Sequence, residues 1–329
     1  MTAAAPPPRC SDAPPGLPRG YRAGHAQRRR PRTHVIRLSP LPVRRYHAGL
    51  AGPDRSCLGV AVRSVHGDHG ETSDRPPGAL LFARYAFPPN ELGYCGPADS
   101  QELLGYGATG VVDRGLAALA RQFDGAWPYL ELIAGAVGIP DPLDHRVVEA
   151  YWVGNPLLDR VGTAALGNSM DERLRRRTGR QFTLVADGVL AGGVPHHSFH
   201  VFGVYPWVGL LSNDRIAGQA LEVLDRCRIR WGKVDNVTGD QVLVRSQPLT
   251  WDGRHLRLGE PVLETARRAI DGSGFVDQIA PGDWISLHWD WVCDRLSPRQ
   301  LADLRRYSRR QLTITNDEMT RSGPATVLG

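Results

Sequence analysis

The stretch RIRWGKVDNVTGDQVLVRSQPLTWDGRHLRLG, Arg228 to Gly259, decides the fold class. Apolar and polar residues alternate along it, the period of a half-buried strand. Thr238-Gly239-Asp240 and Asp252-Gly253 interrupt the alternation with turn chemistry, so the segment reads strand-turn-strand-turn-strand. Downstream, Pro281-Gly282 leads into a further strand, GDWISLHWDWV. SPRQLADLRRYSRRQL then reads as a helix, with Ser297 as N-cap and Pro298 at the first helical position. Several short antiparallel strands followed by one helix predict a small OB-like β-barrel over residues 221–316, with a flexible C-terminus at 317–329.

Upstream, residues 78–220 read as a mainly helical domain, which makes the whole chain α+β. Val111 to Phe123 places Val112, Leu116, Leu119 and Ala120 on one face, the stripe of an amphipathic helix. Tyr129 to Val137 and Leu143 to Leu157 continue the pattern on either side of GIPDP, and Met170 to Arg177 reads as a charged surface helix. Pro88-Pro89-Asn90 and Gly96-Pro97 supply turn chemistry, and short extended pieces are expected near Phe182–Val185 and Phe199–Tyr205. Gly105 to Gly110, GYGATG, has the GxGxxG spacing. No strand precedes it and no βαβ alternation surrounds it, so it reads as a glycine-rich helix connection and not as a dinucleotide site.

Charge is divided unevenly over the 329 residues. Residues 1–77 hold thirteen arginines against five acids, so a chain of net charge +6 carries its positive excess in this segment. Rich in Pro, Gly, Ala and Arg and without a period, residues 1–77 are expected to be a disordered tail. A basic tail on an otherwise slightly acidic chain argues against a nucleic-acid partner. No run of about eighteen apolar residues is present, so no membrane span is expected. The five cysteines include no CxxC pair, and no secretory segment precedes them, which points to a reducing cytoplasm.

Three groups of residues could carry chemistry. PHHSFH brings His196, His197 and His200 together, and His196 with His200 are candidate metal ligands. A polar turn entering a buried strand is the alternative for them. Cys95, in GYCGP, is a thiol presented on a tight turn or a small buried residue. Cys227 leads Gly232-Lys233-Val234 by five residues, and His288 ends the strand Gly282-Asp283-Trp284-Ile285-Ser286-Leu287-His288. Each of these two could equally be a core residue, His288 by bonding Asp290.

Cys-x4-Gly-Lys-Val, a Gly239-Asp240 turn, the strand ending at His288 and a serine-initiated helix together resemble the HypC/HupF hydrogenase maturation chaperones over residues 227–316. Gly232, Lys233, Gly282 and Asp283 support the two motifs, and Asp290 stands where that family carries glycine. The resemblance implies a small barrel that carries the iron of [NiFe]-hydrogenase with its cyanide and carbonyl ligands. Cys227 and His288 would be the iron donors, and the partners a HypD-like scaffold and the hydrogenase large subunit. Such a protein is an assembly factor and not a catalyst. Two alternatives stay open: a docking module of the same fold without metal chemistry, and a metal-dependent enzyme in the helical part using Cys95 with His196 and His200.

Overall fold

A computed structural model describes residues 75–98, 100–178 and 181–322. The tail expected over residues 1–77 lies outside them as far as residue 74, as do residues 323–329 at the other end. The described residues from Pro76 onward form one compact unit.

Helices fill the first part: α1 (Gly78–Glu91), α2 (Gln101–Thr109), α3 (Arg114–Ala120), α4 (Trp127–Val137) and α5 (His145–Trp152). After a 3-10 turn at Pro156–Arg160 come α6 (Thr163–Thr178), α7 (Gln181–Leu190), α8 (His197–Phe199), α9 (Trp207–Leu210) and α10 (Ala217–Cys227). Local chemistry sets several ends. Asp113 and Asp144 cap α3 and α5 by accepting from Leu116 N and Arg146 N, and Gly110 and Gly138 close α2 and α4 in the left-handed conformation.

Neither of the two expected extended pieces is a strand. Phe182–Val185 lies inside α7, and Phe199–Tyr205 is helical, since α8 runs into a π-turn at His200–Val204 closed by Tyr205 N–H to His200 O. The helical part also runs to Cys227 and not to about residue 220. Its buried stripe is Ala220, Val223, Leu224 and Cys227, the spacing of one helix face.

The strands follow as β1 (Arg230–Thr238), β2 (Gln241–Ser246), β3 (Leu249–Trp251), β4 (Leu256–Leu258) and β5 (Val262–Arg267). Then come β6 (Ala269–Ile270), β7 (Ser273–Gly274), β8 (Trp284–His288), β9 (Trp291–Arg295) and the helix α11 (Pro298–Ser322). β3 with β4 and β6 with β7 are small separate hairpins, and the remaining strands close on themselves in the order β1-β2-β5-β9-β8. All contacts in this ring are antiparallel except β5 with β9, which meet in parallel at Arg267 and Trp291. Its interior is apolar: Val234, Val242, Val244, Ala266, Ile285, Leu287 and Val292. Ser297 and Gln300 cap α11 reciprocally, Gln300 N to Ser297 Oγ at 3.2 Å and Ser297 N to Gln300 Oε1 at 2.9 Å. The helix continues to Ser322, so the flexible terminus expected from residue 317 is helical for its first turn and a half.

Helix α1 ties the two parts together. It is buried nearly all round, and a helix of that kind occupies a core. Phe87 meets Trp291 edge-to-face at 5.0 Å, and Tyr85 Oη meets Ser286 Oγ at 2.8 Å. Its residues share one hydrophobic cluster with Ile229, Trp231, Trp291 and Cys293 of the strand region. Cys293, fully buried, belongs to that core, and none of Cys95, Cys227 and Cys293 is in a disulfide. Among the described residues no helix is long and apolar enough to cross a membrane.

Candidate metal centre

Cys227 is the last residue of α10, where backbone carbonyls run out of intrahelical donors. His288 is the last residue of β8, paired with Trp291 across a two-residue turn. That turn puts Trp289 at φ 54°, a left-handed conformation that a bulky residue adopts only under constraint. The constraint is visible. Trp289 N donates to Arg226 O at 2.7 Å, and the Arg230 guanidinium donates to Trp289 O while pairing with Glu264. Glu264 also accepts from Arg226 at 2.7 Å and from the Ser246 hydroxyl. Burial pushes its carboxyl up, but the Arg230 and Arg226 guanidiniums and the Ser246 hydroxyl outweigh this and hold it at about 2. The turn after His288 is thus laced to the segment containing Cys227.

His288 is oriented by α1. Its Nδ1 lies 2.6 Å from the Tyr85 carbonyl, which can only accept, so Nδ1 carries the proton and Nε2 keeps its lone pair. The carbonyl is available because the residue four positions on is Pro89, which has no N–H and whose ring crowds that carbonyl. His288 Nε2 is buried and makes no hydrogen bond among the described residues. A ring fixed at one nitrogen by a carbonyl and bare at the other is the usual arrangement of a metal-binding histidine.

The third participant comes from the helical part. His197 opens α8, with Nε2 2.8 Å from Cys227 O and Nδ1 3.2 Å from Tyr151 Oη. One ligand atom each from His197, Cys227 and His288 lie within 4.8 Å of one another, all three residues buried. Donors sharing one metal sit roughly 3 to 4 Å apart, given bonds of about 2.0–2.3 Å, so modest side-chain rotation would close the set.

These residues line a small cavity of about 30 Å³, room for one or two water-sized groups. Cys95 and His200 line it too, with Tyr151, Trp152 and Trp289 among its aromatic walls. Asn90 donates to Cys95 O at 2.8 Å and Pro97 O at 2.6 Å, fixing the turn that carries Cys95. Trp152 packs against the His197 ring at 4.6 Å and the His288 ring at 5.6 Å. His200 sits three residues after His197 on the same helical face, its Nδ1 3.2 Å from Tyr129 Oη.

Four of the five residues singled out in the sequence, Cys95, His200, Cys227 and His288, therefore share one cavity. His196 does not. Its Nδ1 caps α8 by accepting from Ser198 N at 3.2 Å, and its ring lies 5.8 Å from that of Tyr307. His197, which the sequence expectation of His196 with His200 leaves out, is the imidazole that joins Cys227 and His288. A helical turn that starts at His197, with His196 outside it as the extended N-cap, is the signal that finds it.

Burial keeps the imidazoles neutral, the state in which they bind metal. It pushes His197 down to about 4, and it pushes His288 and His200 well below their ordinary value. The neighbouring His197 pushes His288 further the same way, and at His200 the Arg173 charge, then His197, do so. Buried neutral nitrogen and sulfur donors suit zinc, iron, cobalt or nickel better than calcium or magnesium, which take oxygen.

Residues 74–322 match the family model described as a family of unknown function, DUF6390. The chain belongs to the DUF6390 family. No curated protein and no solved structure matches it.

In this DUF6390 chain the glycines of the motifs around Cys227 and His288 serve the backbone. Gly232 lies where a Cβ would come within 2.4 Å of Val244 Cγ2, so strand β1 can approach β2 only through glycine. Gly282 takes φ 97° and donates to Val234 O at 2.9 Å, while Asp283 accepts from Ala280 N at 2.9 Å. Lys233 is exposed on β1. Asp290 pairs with Arg267 at 3.0 Å, so it is not the partner of His288, and the left-handed position of the turn is Trp289.

Proposed function

We propose that this protein is an accessory factor for [NiFe]-hydrogenase assembly that holds iron through Cys227 and His288, in the manner of the HypC-like chaperones it resembles. One observation carries the reading. The two residues on which that resemblance rests, far apart in sequence, meet in one buried cavity with a further imidazole. A thiolate and neutral imidazoles are fitting donors for iron, and the cavity, with room for one or two water-sized groups, would have to widen to take cyanide and carbonyl ligands beside the ion. The strand order supports an OB-like barrel. Numbered along the ring's own strands it runs 1-2-3-5-4, with the third and fifth parallel.

Burial shapes the mechanism. Cys227 is 8% exposed, so iron held there leaves only when the cavity opens, and docking on the large subunit or a HypD-like scaffold would be the opening event. The same burial favours a second reading, a resident metal centre of an enzyme. Cys95 and His200, the donors the helical part offers, stand on the same cavity and not in a separate site.

The test is genetic. In a hydrogenase-bearing host, Cys227→Ala in the chromosomal copy should leave the large subunit unprocessed and iron-poor. Normal hydrogenase maturation in that strain would remove iron carriage from the account and leave a docking module or an unrelated enzyme.

A further inference from the structure

The geometry points to His197 as a third protein donor to the metal, released for that role by a proton switch at the Tyr151 hydroxyl. This rests on the reading of Cys227 and His288 as metal donors and adds a ligand that lies outside the barrel, on α8.

The hydrogen bonds define the switch. A neutral imidazole carries one N–H. His197 Nε2 lies 2.8 Å from Cys227 O, which only accepts, so in the metal-free protein Nε2 carries the proton and Nδ1 is bare. Tyr151 Oη lies 3.2 Å from His197 Nδ1 and 3.2 Å from Gly125 O. Its single hydrogen has two acceptors at equal distance. Gly125 O can take it, but with Nε2 protonated Nδ1 is a buried acceptor that has no other donor here, so in the metal-free state the hydrogen is assigned to Nδ1.

The second arrangement uses the same atoms. With Nε2 turned to a metal, the ring proton sits on Nδ1 and donates to Tyr151 Oη. The tyrosine hydrogen then rotates onto Gly125 O. His197 stays neutral in both states, since Nε2 gives up a proton and Nδ1 gains one, a net change of tautomer that leaves the ring's charge unaltered; the Cys227 thiol loses its proton to solvent when it binds the metal. Only the Cys227 carbonyl loses a donor. Tyr151 is fully buried among Trp152, Tyr129 and His197, which keeps water from competing for either position.

The geometry therefore assigns Tyr151 as a positioning residue and His197 as a ligand, giving a two-imidazole, one-thiolate set with its remaining coordination facing the cavity. Such a set takes a borderline transition metal and leaves at least one position for a small ligand.

The experiment uses the full chain and Co(II) as probe, under anaerobic conditions, with affinity read by chelator competition. Wild type is expected to bind one Co(II) with thiolate-to-metal charge-transfer absorption. His197→Ala should weaken binding by more than tenfold while the charge-transfer band persists. Tyr151→Phe, which keeps the ring and its packing, should weaken it by about 10- to 100-fold, the usual effect of removing an outer-shell partner. Long-range nitrogen–proton spectra of the histidine rings with Zn(II) give a readout that packing alone would not move. His197 should pass from the Nε2–H tautomer without metal to the Nδ1–H tautomer with it. If Cys227→Ala and His288→Ala abolish binding while His197→Ala and Tyr151→Phe bind as wild type does, this inference falls and the two-donor reading stands. A wild type without affinity for Co(II) overturns both.

Discussion

Pro89→Ala separates the proposed metal site from the stability of the fold, because it should move the two in opposite directions. Pro89 sits in the last turn of α1 and leaves the Tyr85 carbonyl to His288 Nδ1 at 2.6 Å. Alanine restores an N–H four residues after Tyr85 and removes the ring that crowds the carbonyl. The carbonyl then realigns along the helix axis. Proline in a helix interior costs about 3 kcal/mol relative to alanine, and less in a terminal turn. A gain of about 1 kcal/mol in the metal-free protein is a fair expectation, since Pro89 also packs on the cavity. His288 meanwhile loses the partner that fixes its tautomer. Outer-shell losses of this kind weaken metal binding about 10- to 100-fold, or about 1.4 to 2.8 kcal/mol. Urea unfolding of the metal-free protein reads the first effect, and chelator competition with Co(II) reads the second. A variant that binds Co(II) within about twofold of wild type would refute the claim that Tyr85 orients His288 for coordination.

Acid should destabilise the metal-free protein early. His197 lies at about 4 in the fold against 6.5 in the unfolded chain, so the unfolded state binds more protons between those values. Stability present above pH 6.5 is therefore lost as pH falls toward 4, by roughly 3 kcal/mol for His197 alone, and urea midpoints across that window check it. Glu264→Gln removes the anion between Arg226 and Arg230 and should cost about 3 kcal/mol or more by leaving a buried guanidinium unpaired; equal thermal midpoints for variant and wild type would contradict this. Gly232→Ala drives a methyl group against Val244 and should destabilise by about 1 to 3 kcal/mol, read from chemical unfolding.

Much of the architecture was legible because local chemistry and tertiary packing agree. The alternation from Arg230 to Ser246 becomes β1 and β2, and Ser297 caps α11 as its spacing with Gln300 implies. Pro88-Pro89 reads as a turn in sequence, yet α1 continues through both, since burial on nearly every side outweighs two missing N–H groups. PHHSFHVFGVY has the aromatic and β-branched composition of a strand, and packing folds it as a helical turn with a π-turn. Because the helix begins at His197 and leaves His196 outside as its extended cap, it is His197 that meets Cys227. Cys227 and His288, expected together from the sequence, bring their ligand atoms within 4.8 Å of each other. The place of Cys227 at a helix end was hidden in the stripe of Ala220, Val223 and Leu224, which only the helical period reveals. The lacing of Trp289 by Arg226 and Arg230 joins residues too distant in sequence for any local pattern to announce.

The central claim is that Cys227, His288 and His197 hold a metal. Iron quantified per chain after anaerobic reconstitution and desalting tests it most directly, with Cys227→Ala beside the wild type. The account predicts close to one iron per wild-type chain and almost none in the variant. Equal iron in both, or none in either, would contradict it.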